Sequence, residues 1–167
     1  MDQVDRILAQ WRRERPDLET GPMGTLGRMK RLHDHLAGAM EAVYRAHGLN
    51  AASFDVLATL RRAGPPHALS PSELMHWTMV TSGTMTNRLD RLEAAGLIER
   101  RRNPEDGRGS VVALTRAGRE KIDAAVTDHV AGQHRLTAAL PPELRAGFDA
   151  ALAAWLAAFE PAEDGEG

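Results

Sequence analysis

The chain has 167 residues, no cysteine, and 21 Lys+Arg against 23 Asp+Glu, a formal net charge of -2. That length is about one ordinary domain with room for a real core. The lack of cysteine excludes disulfides, thiolate metal sites, cysteine nucleophiles and thiol redox sensing. The apolar runs fall far short of the roughly 18 residues of a membrane span. The acidic start, Met1 to Asp5, has no apolar signal core, so a cytoplasmic protein is expected.

The overall charge hides its distribution. From Arg88 to Arg119 eight arginines face five acids, a local +3, whereas the last eight residues carry four acids and no base, a local -4. Local potential governs binding more than the sum does. Lys30 and Lys121 are the only lysines. The arginine bias fits forked phosphate and guanine contacts, and it equally fits a biased genome base composition.

The elements follow in chain order. Val4, Ile7, Leu8 and Trp11 lie at i, i+3, i+4, i+7, which predicts a first helix ended by Pro16. A loop through Thr20-Gly21-Pro22 precedes a long helix from about Leu26 to Ala46, stopped by Gly48. Asn50 is placed to cap a third helix through Phe54, Leu57 and Leu60, ending at Gly64. Ser70-Pro71-Ser72-Glu73 is a capping box with proline at the first helical position, opening a short helix to Trp77. After a turn at Thr78 to Val80, Thr81 is placed to cap a helix from Ser82 to Ala95, with Met85, Leu89 and Leu92 inward. Leu97 to Arg102 and Ser110 to Leu114 read as two strands of a hairpin, separated by the turn-rich Asn103 to Gly109. Thr115 then caps a helix to about Leu140, Pro141-Pro142 break it, and a last helix runs to about Phe159. The tail from Pro161 reads as disordered.

Helix, turn, helix and basic hairpin together make a winged helix, so the fold class is mostly α with a two-stranded wing. The flanking helices exceed what one wing domain needs to cover its core, which points to a second subunit. The expected organisation is an N-terminal extra helix and dimerisation helix (1–48), a winged helix-turn-helix (49–115), C-terminal dimerisation helices (116–160) and an acidic tail (161–167).

The polar second helix suits a DNA major groove, with Ser82, Gly83, Thr84, Thr86 and Asn87 at its leading end, where such helices reach base edges. Thr81 and Ser82, at a helix N-terminus, can hold a phosphate. Arg91 and Arg102 join the DNA-facing cations, and Arg108 at the hairpin tip suits a narrow minor groove. Asp106 fits a structural partner for that tip. Strand alternation sends Arg100 and Arg102 to one face and Arg101 to the other, so at least one of the three has work other than DNA contact. Taken alone, the same residues also suit a solvated helix and a charged strand edge; the two features side by side favour DNA.

Residues 69–114, with Leu-Ser-Pro-Ser-Glu-Leu, Thr-Ser-Gly-Thr-Met-Thr-Asn-Arg-Leu-Asp-Arg-Leu-Glu-Ala-Ala-Gly-Leu-Ile-Glu-Arg and Asn-Pro-Glu-Asp-Gly-Arg-Gly, resemble the MarR family of bacterial winged-helix repressors. The resemblance implies a homodimer, a pseudo-palindromic operator of double-stranded DNA, and release by a small molecule. The wing departs from the family pattern at Asn103 and Gly107. The segment Val4 to Arg28, with Gln10-Trp11, Glu14-Arg15-Pro16-Asp17-Leu18 and Gly27-Arg28, is similar to the extra first helix of the urate-responsive, PecS-like branch. That similarity implies a ligand site of Trp11, Asp55, Arg88 and Arg100. Trp11 would stack on a flat ring and Arg88 would pair with an anion such as urate, another purine or an organic acid. Asp55 would sense the added charge, and Arg100 would hold Asp55 and Trp11. Without the resemblance, Trp11 reads as core and Arg88 as a phosphate ligand.

His33 and His35 point to different faces of their helix, and His129 and His134 are five apart, an awkward chelate spacing. No metal or other cofactor is expected. No phosphate loop, nucleophile elbow or paired-carboxylate site is present, so no enzyme is expected. The rival reading is a ligand-insensitive DNA-binding or protein-interaction module.

Overall fold

The computed structural model describes residues 1–78, 85–102 and 109–160. Thr81, Ser82, Gly83, Thr84, Asn103, Asp106, Gly107, Arg108 and the tail from 161 lie outside the described residues. The chain divides into two compact units, Met1–His129 and Val130–Gly167.

In the first unit, helix α1 spans Gln3–Glu14. Asp2 caps it: its carboxylate accepts from Asp5 N–H, and Asp5 accepts from Asp2 N–H in return. Helix α2 spans Gly21–Ala46, five residues earlier than the sequence reading placed its start. Proline suits a first helical turn, and Glu19 supplies the acceptor for the Gly21 N–H at 2.8 Å. The apparent loop is therefore a helix start. Val4 and Leu8 bury against α2 because Gly24 and Gly27 make room for them; a Cβ on Gly24 would come within 3.0 Å of Leu8 Cδ1. Arg28 fastens the pair through Asp2 (2.8 Å) and Asp5 (2.5 Å), and Arg31 reaches Gln3 at 2.6 Å.

Helix α3 spans Ala51–Arg62, with Asn50 accepting from Ser53 N–H at 2.8 Å as its cap. Strand β1, Ala68–Leu69, follows. Helix α4 spans Pro71–Trp77 behind the Ser70/Glu73 capping box. Helix α5, Met85–Ala94, buries Met85, Leu89 and Leu92 as the sequence predicts. Strands β2 (Ile98–Arg102) and β3 (Ser110–Leu114) pair antiparallel, and β1 adds to the other edge of β3, giving the order β1-β3-β2. The two-residue β1 is an addition to the expected hairpin. Burial runs out along the ladder: Ile98 opposite Leu114 is in the core, while Arg102 opposite Ser110 is exposed. The hairpin thus grows from the hydrophobic centre and projects into solvent.

That centre gathers Leu49, Phe54, Val56, Leu57, Leu60, Leu74, Leu97, Val112, Ile122 and the three inward residues of α5. Helix α6, Arg116–Thr137, closes it through Ile122 and Ala125. Thr115 accepts from Gly118 N–H at 3.0 Å, the expected cap, and donates to Gly96 O at 2.7 Å. His129 on α6 stacks with Tyr44 and tilts against Phe54, and its Nδ1 lies 3.2 Å from Tyr44 Oη. Burial lowers the His129 pKa and raises that of Tyr44.

In the second unit, α6 ends and α7 spans Pro142–Leu156 with no buried residue. Leu144, Phe148, Leu152 and Trp155 form one apolar stripe on it, each at least 40% exposed. No helix among the described residues is long and apolar enough to cross a membrane.

Candidate nucleic-acid interface

Helix α5 has two faces set by its sequence. Met85, Leu89 and Leu92 hold it to the core, and Thr86, Asn87, Asp90 and Arg91 stand exposed at i, i+1, i+4, i+5. The outer face offers a hydroxyl, an amide and a guanidinium, groups that read base edges and phosphates. Its one acid, Asp90, would repel a phosphate backbone if it stood alone.

It is paired. Arg100, third residue of β2, donates from Nη2 to Asp90 at 2.6 Å and from Nη1 to Glu93 at 2.5 Å. The Arg100 backbone N–H also bonds Glu93 at 3.0 Å. The hydrogen bond to Asp90, backed by the charges of Glu93 and Asp90, raises the Arg100 pKa further. One arginine therefore neutralises two carboxylates on α5 and fixes that helix to the base of the hairpin. The sequence reading missed Asp90 and Glu93 in this role. Their i, i+3 spacing on one helix was visible, but their partner on β2 was not.

The other strand arginines divide as alternation requires. Arg101 bonds Glu99, with Nε to Oε1 at 2.8 Å. Arg102 makes no ion pair among the described residues and is exposed beside Ser110.

The four residues implied as a ligand site sit on four elements. Trp11 is on α1 and 40% exposed. Asp55 is on α3, where its charge, after burial and Glu41, adds to the raising of the Tyr44 pKa. Arg88 is on α5, half-buried, with Nη1 buried and without a hydrogen-bond partner among the described residues. Arg100 is on β2, engaged with Asp90 and Glu93. Of the histidines considered for metal, His129 belongs to the aromatic cluster described above; His47, which that reading did not weigh, caps the C-terminus of α2 and lies 2.8 Å from Asp128.

Two helices in helix-turn-helix order, the second with an exposed polar face, joined to an arginine-bearing hairpin, define a winged-helix transcriptional regulator. Residues 47–109 match the model of the MarR family. The chain is 41% identical over 128 residues to the HTH-type transcriptional regulator PecS of Dickeya dadantii, covering 77% of each chain. It superposes on Sco5413, a MarR family transcriptional regulator from Streptomyces coelicolor, with TM-score 0.72 and 28% identity, over 87% of this chain and 100% of the other. Sco3205 from the same organism, solved in complex with DNA, has TM-score 0.75 at 20% identity over 87% and 91% of the two chains, a likeness of fold. The chain belongs to the MarR family.

Proposed function

We propose that the protein is a homodimeric transcriptional repressor that grips a pseudo-palindromic operator and is released by a small anionic or aromatic ligand such as urate. The observation that carries the DNA reading is the exposed Thr86-Asn87-Arg91 face, its acid neutralised by Arg100 on the adjoining strand. Each subunit lays α5, with the residues Thr81 to Thr84 that precede it, in a major groove. Arg102 reaches a phosphate and Arg108 a flanking minor groove. Residues 49–115 form the reading part, and the dimer is made by residues 1–48 and 116–160.

Dimerisation is supported by apolar faces that a single protomer leaves open. Leu26, Met29 and Leu36 on α2 are 55%, 39% and 36% exposed, and the α7 stripe is exposed throughout. Large unpartnered apolar stripes on helices mark interfaces. A twofold axis would set the two reading helices about one DNA turn, ~34 Å, apart.

Ligand control is supported by Arg88. A buried guanidinium nitrogen without an acceptor is unfavourable, and an anion would satisfy it. Such a ligand would favour a dimer that fits DNA poorly and lower operator affinity by its differential affinity for the two states. Titration calorimetry with urate tests this part. Wild type should bind, and Trp11→Ala and Arg88→Ala should lose the heat; undiminished heats in both variants would remove the site. An operator gel shift with and without urate separates this reading from a ligand-insensitive binder.

A further inference from the structure

Helix α1 carries a cationic face that none of the roles above uses. Val4 and Leu8 point to α2. At about 100° per residue, Arg6 and Arg13 stand on the opposite side, about 170° round the helix. They are two turns apart, about 10 Å along the axis. Arg12 adjoins Arg13, and all three are exposed. The helix beneath them is firm, since Val4 and Leu8 pack beside Gly24 and Gly27 while Arg28 clasps Asp2 and Asp5.

These arginines have no acid to serve. Helix neighbours pair at three and four residues. There Arg6 meets Gln3, Ala9 and Gln10, and its remaining neighbour Asp2 is bonded to Arg28. Arg13 meets Ala9, Gln10 and Pro16, and Asp17 is bonded to Arg15. Glu14 lies about 90° round from the stripe. None of the three arginines makes an ion pair among the described residues, although the acids around them do. A cation in the last turn suits the helix dipole, which accounts for Arg12 and Arg13 but not for Arg6 in the first half of the helix. The face also stands apart from the winged-helix core. Tyr44, where α2 joins that core, is 17 residues beyond Gly27, about 26 Å at 1.5 Å per residue.

We propose that this face of α1 binds the phosphate backbone of a second duplex while α5 holds the operator, so that one dimer bridges two DNA segments. Guanidiniums without acids call for an anion. A duplex carries one negative charge per about 1.7 Å of axis, so cations about 10 Å apart meet phosphates in any sequence. The contact is sequence-independent and weakens steeply with salt. The bridge rests on the dimeric DNA reading above, whereas the cationic face can also be tested without an operator.

Operator fixed to beads and saturated with the full chain should capture a fluorescent duplex of unrelated sequence at low salt. Arg6→Gln, Arg12→Gln and Arg13→Gln together should cut that capture about tenfold, as three exposed charge pairs of modest strength imply. Operator affinity should stay within about twofold of wild type, because the bound operator lies on α5. Arg6→Lys, Arg12→Lys and Arg13→Lys together keep the charge and should retain most of the capture. Unfolding midpoints establish that each variant is folded. No capture by wild type, capture undiminished in the glutamine variant, or operator affinity lost in it, which would set α1 on the operator itself, would each overturn the inference. A wild type that binds no operator would fell the DNA reading and leave the face testable: its binding to unrelated duplex should fall less steeply with salt in the glutamine variant. The slope should drop by about 2.7, which is 0.9 for each of three lost phosphate contacts. An unchanged slope, or no binding at all, would overturn the face as well.

Discussion

Gly118 lies in the first turn of α6, directly against the backbone of Leu97, the residue before β2. A Cβ at this position would stand 1.9 Å from Leu97 O and 2.8 Å from its carbonyl carbon. An ordinary C···O approach is about 3.3 Å, so alanine must open the contact by about 1.4 Å. Two hydrogen bonds cross that junction: Thr115 N–H to Leu97 O at 3.1 Å and Thr115 Oγ1 to Gly96 O at 2.7 Å. Losing both removes about 2 kcal/mol at a typical net value near 1 kcal/mol each. Overpacking adds about 1–3 kcal/mol, and the better helix propensity of alanine returns about 1 kcal/mol. The net expectation is a destabilisation of about 2–4 kcal/mol, a fall in midpoint of about 10 °C for a chain of this size. Urea and thermal unfolding at fixed protein concentration measure it. Gly38→Ala is the control. It lies in the middle of α2 with nothing within 4 Å of the added Cβ, so it should stabilise by about 0.5–1 kcal/mol. A Gly118→Ala protein as stable as wild type, beside a normal control, would refute this packing of α6 on the wing base.

Arg100→Ala should leave the fold intact and weaken operator binding about tenfold, about 1.4 kcal/mol, because Asp90 and Glu93 then face phosphate uncompensated; fluorescence anisotropy on a labelled operator reads it. If α7 helps to form the proposed dimer, wild type should run as a dimer and Phe148→Asp with Leu152→Asp as a monomer in size-exclusion chromatography with light scattering. Arg28→Gln should release α1 from α2 and speed proteolysis near Arg15 with little effect on the core, since its ties to Asp2 and Asp5 are on the surface. Burial holds the His129 pKa below its ordinary 6.5, so the unfolded chain takes up that proton first as pH falls. The associated stability is present above pH 6.5 and is lost on descending through the lowered value. Urea midpoints at pH 7.5 and 5.5 should therefore separate more in wild type than in His129→Phe.

Much of the fold was legible because its signals are local. Asn50, Ser70 with Glu73, and Thr115 are side chains that bond backbone three residues on, and all three cap the helices they were expected to cap. Ser110–Leu114 was legible from its β-branched and apolar run between turn residues. The start of α2 was misread because Gly21-Pro22 breaks a helix in its interior but suits its first turn; Glu19, outside the pattern, decides between them. Strand β1 is two residues long and exists only through its pairing with Val112 and Ala113, a contact across more than forty residues that no local pattern encodes. The same holds for the interface. The exposed polar face of α5 follows from helical period, whereas the pairing of Arg100 with Asp90 and Glu93 depends on where the fold sets β2 against α5.

The central claim is that two copies of this chain present two reading helices to one duplex. Selection of bound sequences from a randomised duplex pool, followed by footprinting of the winner, tests it most directly. The expected result is an inverted repeat whose half-sites are centred about 10–10.5 base pairs apart, protected in two major grooves of one face. Enrichment of a single unrepeated half-site, or no enrichment even at low salt where phosphate contacts are strongest, would contradict it.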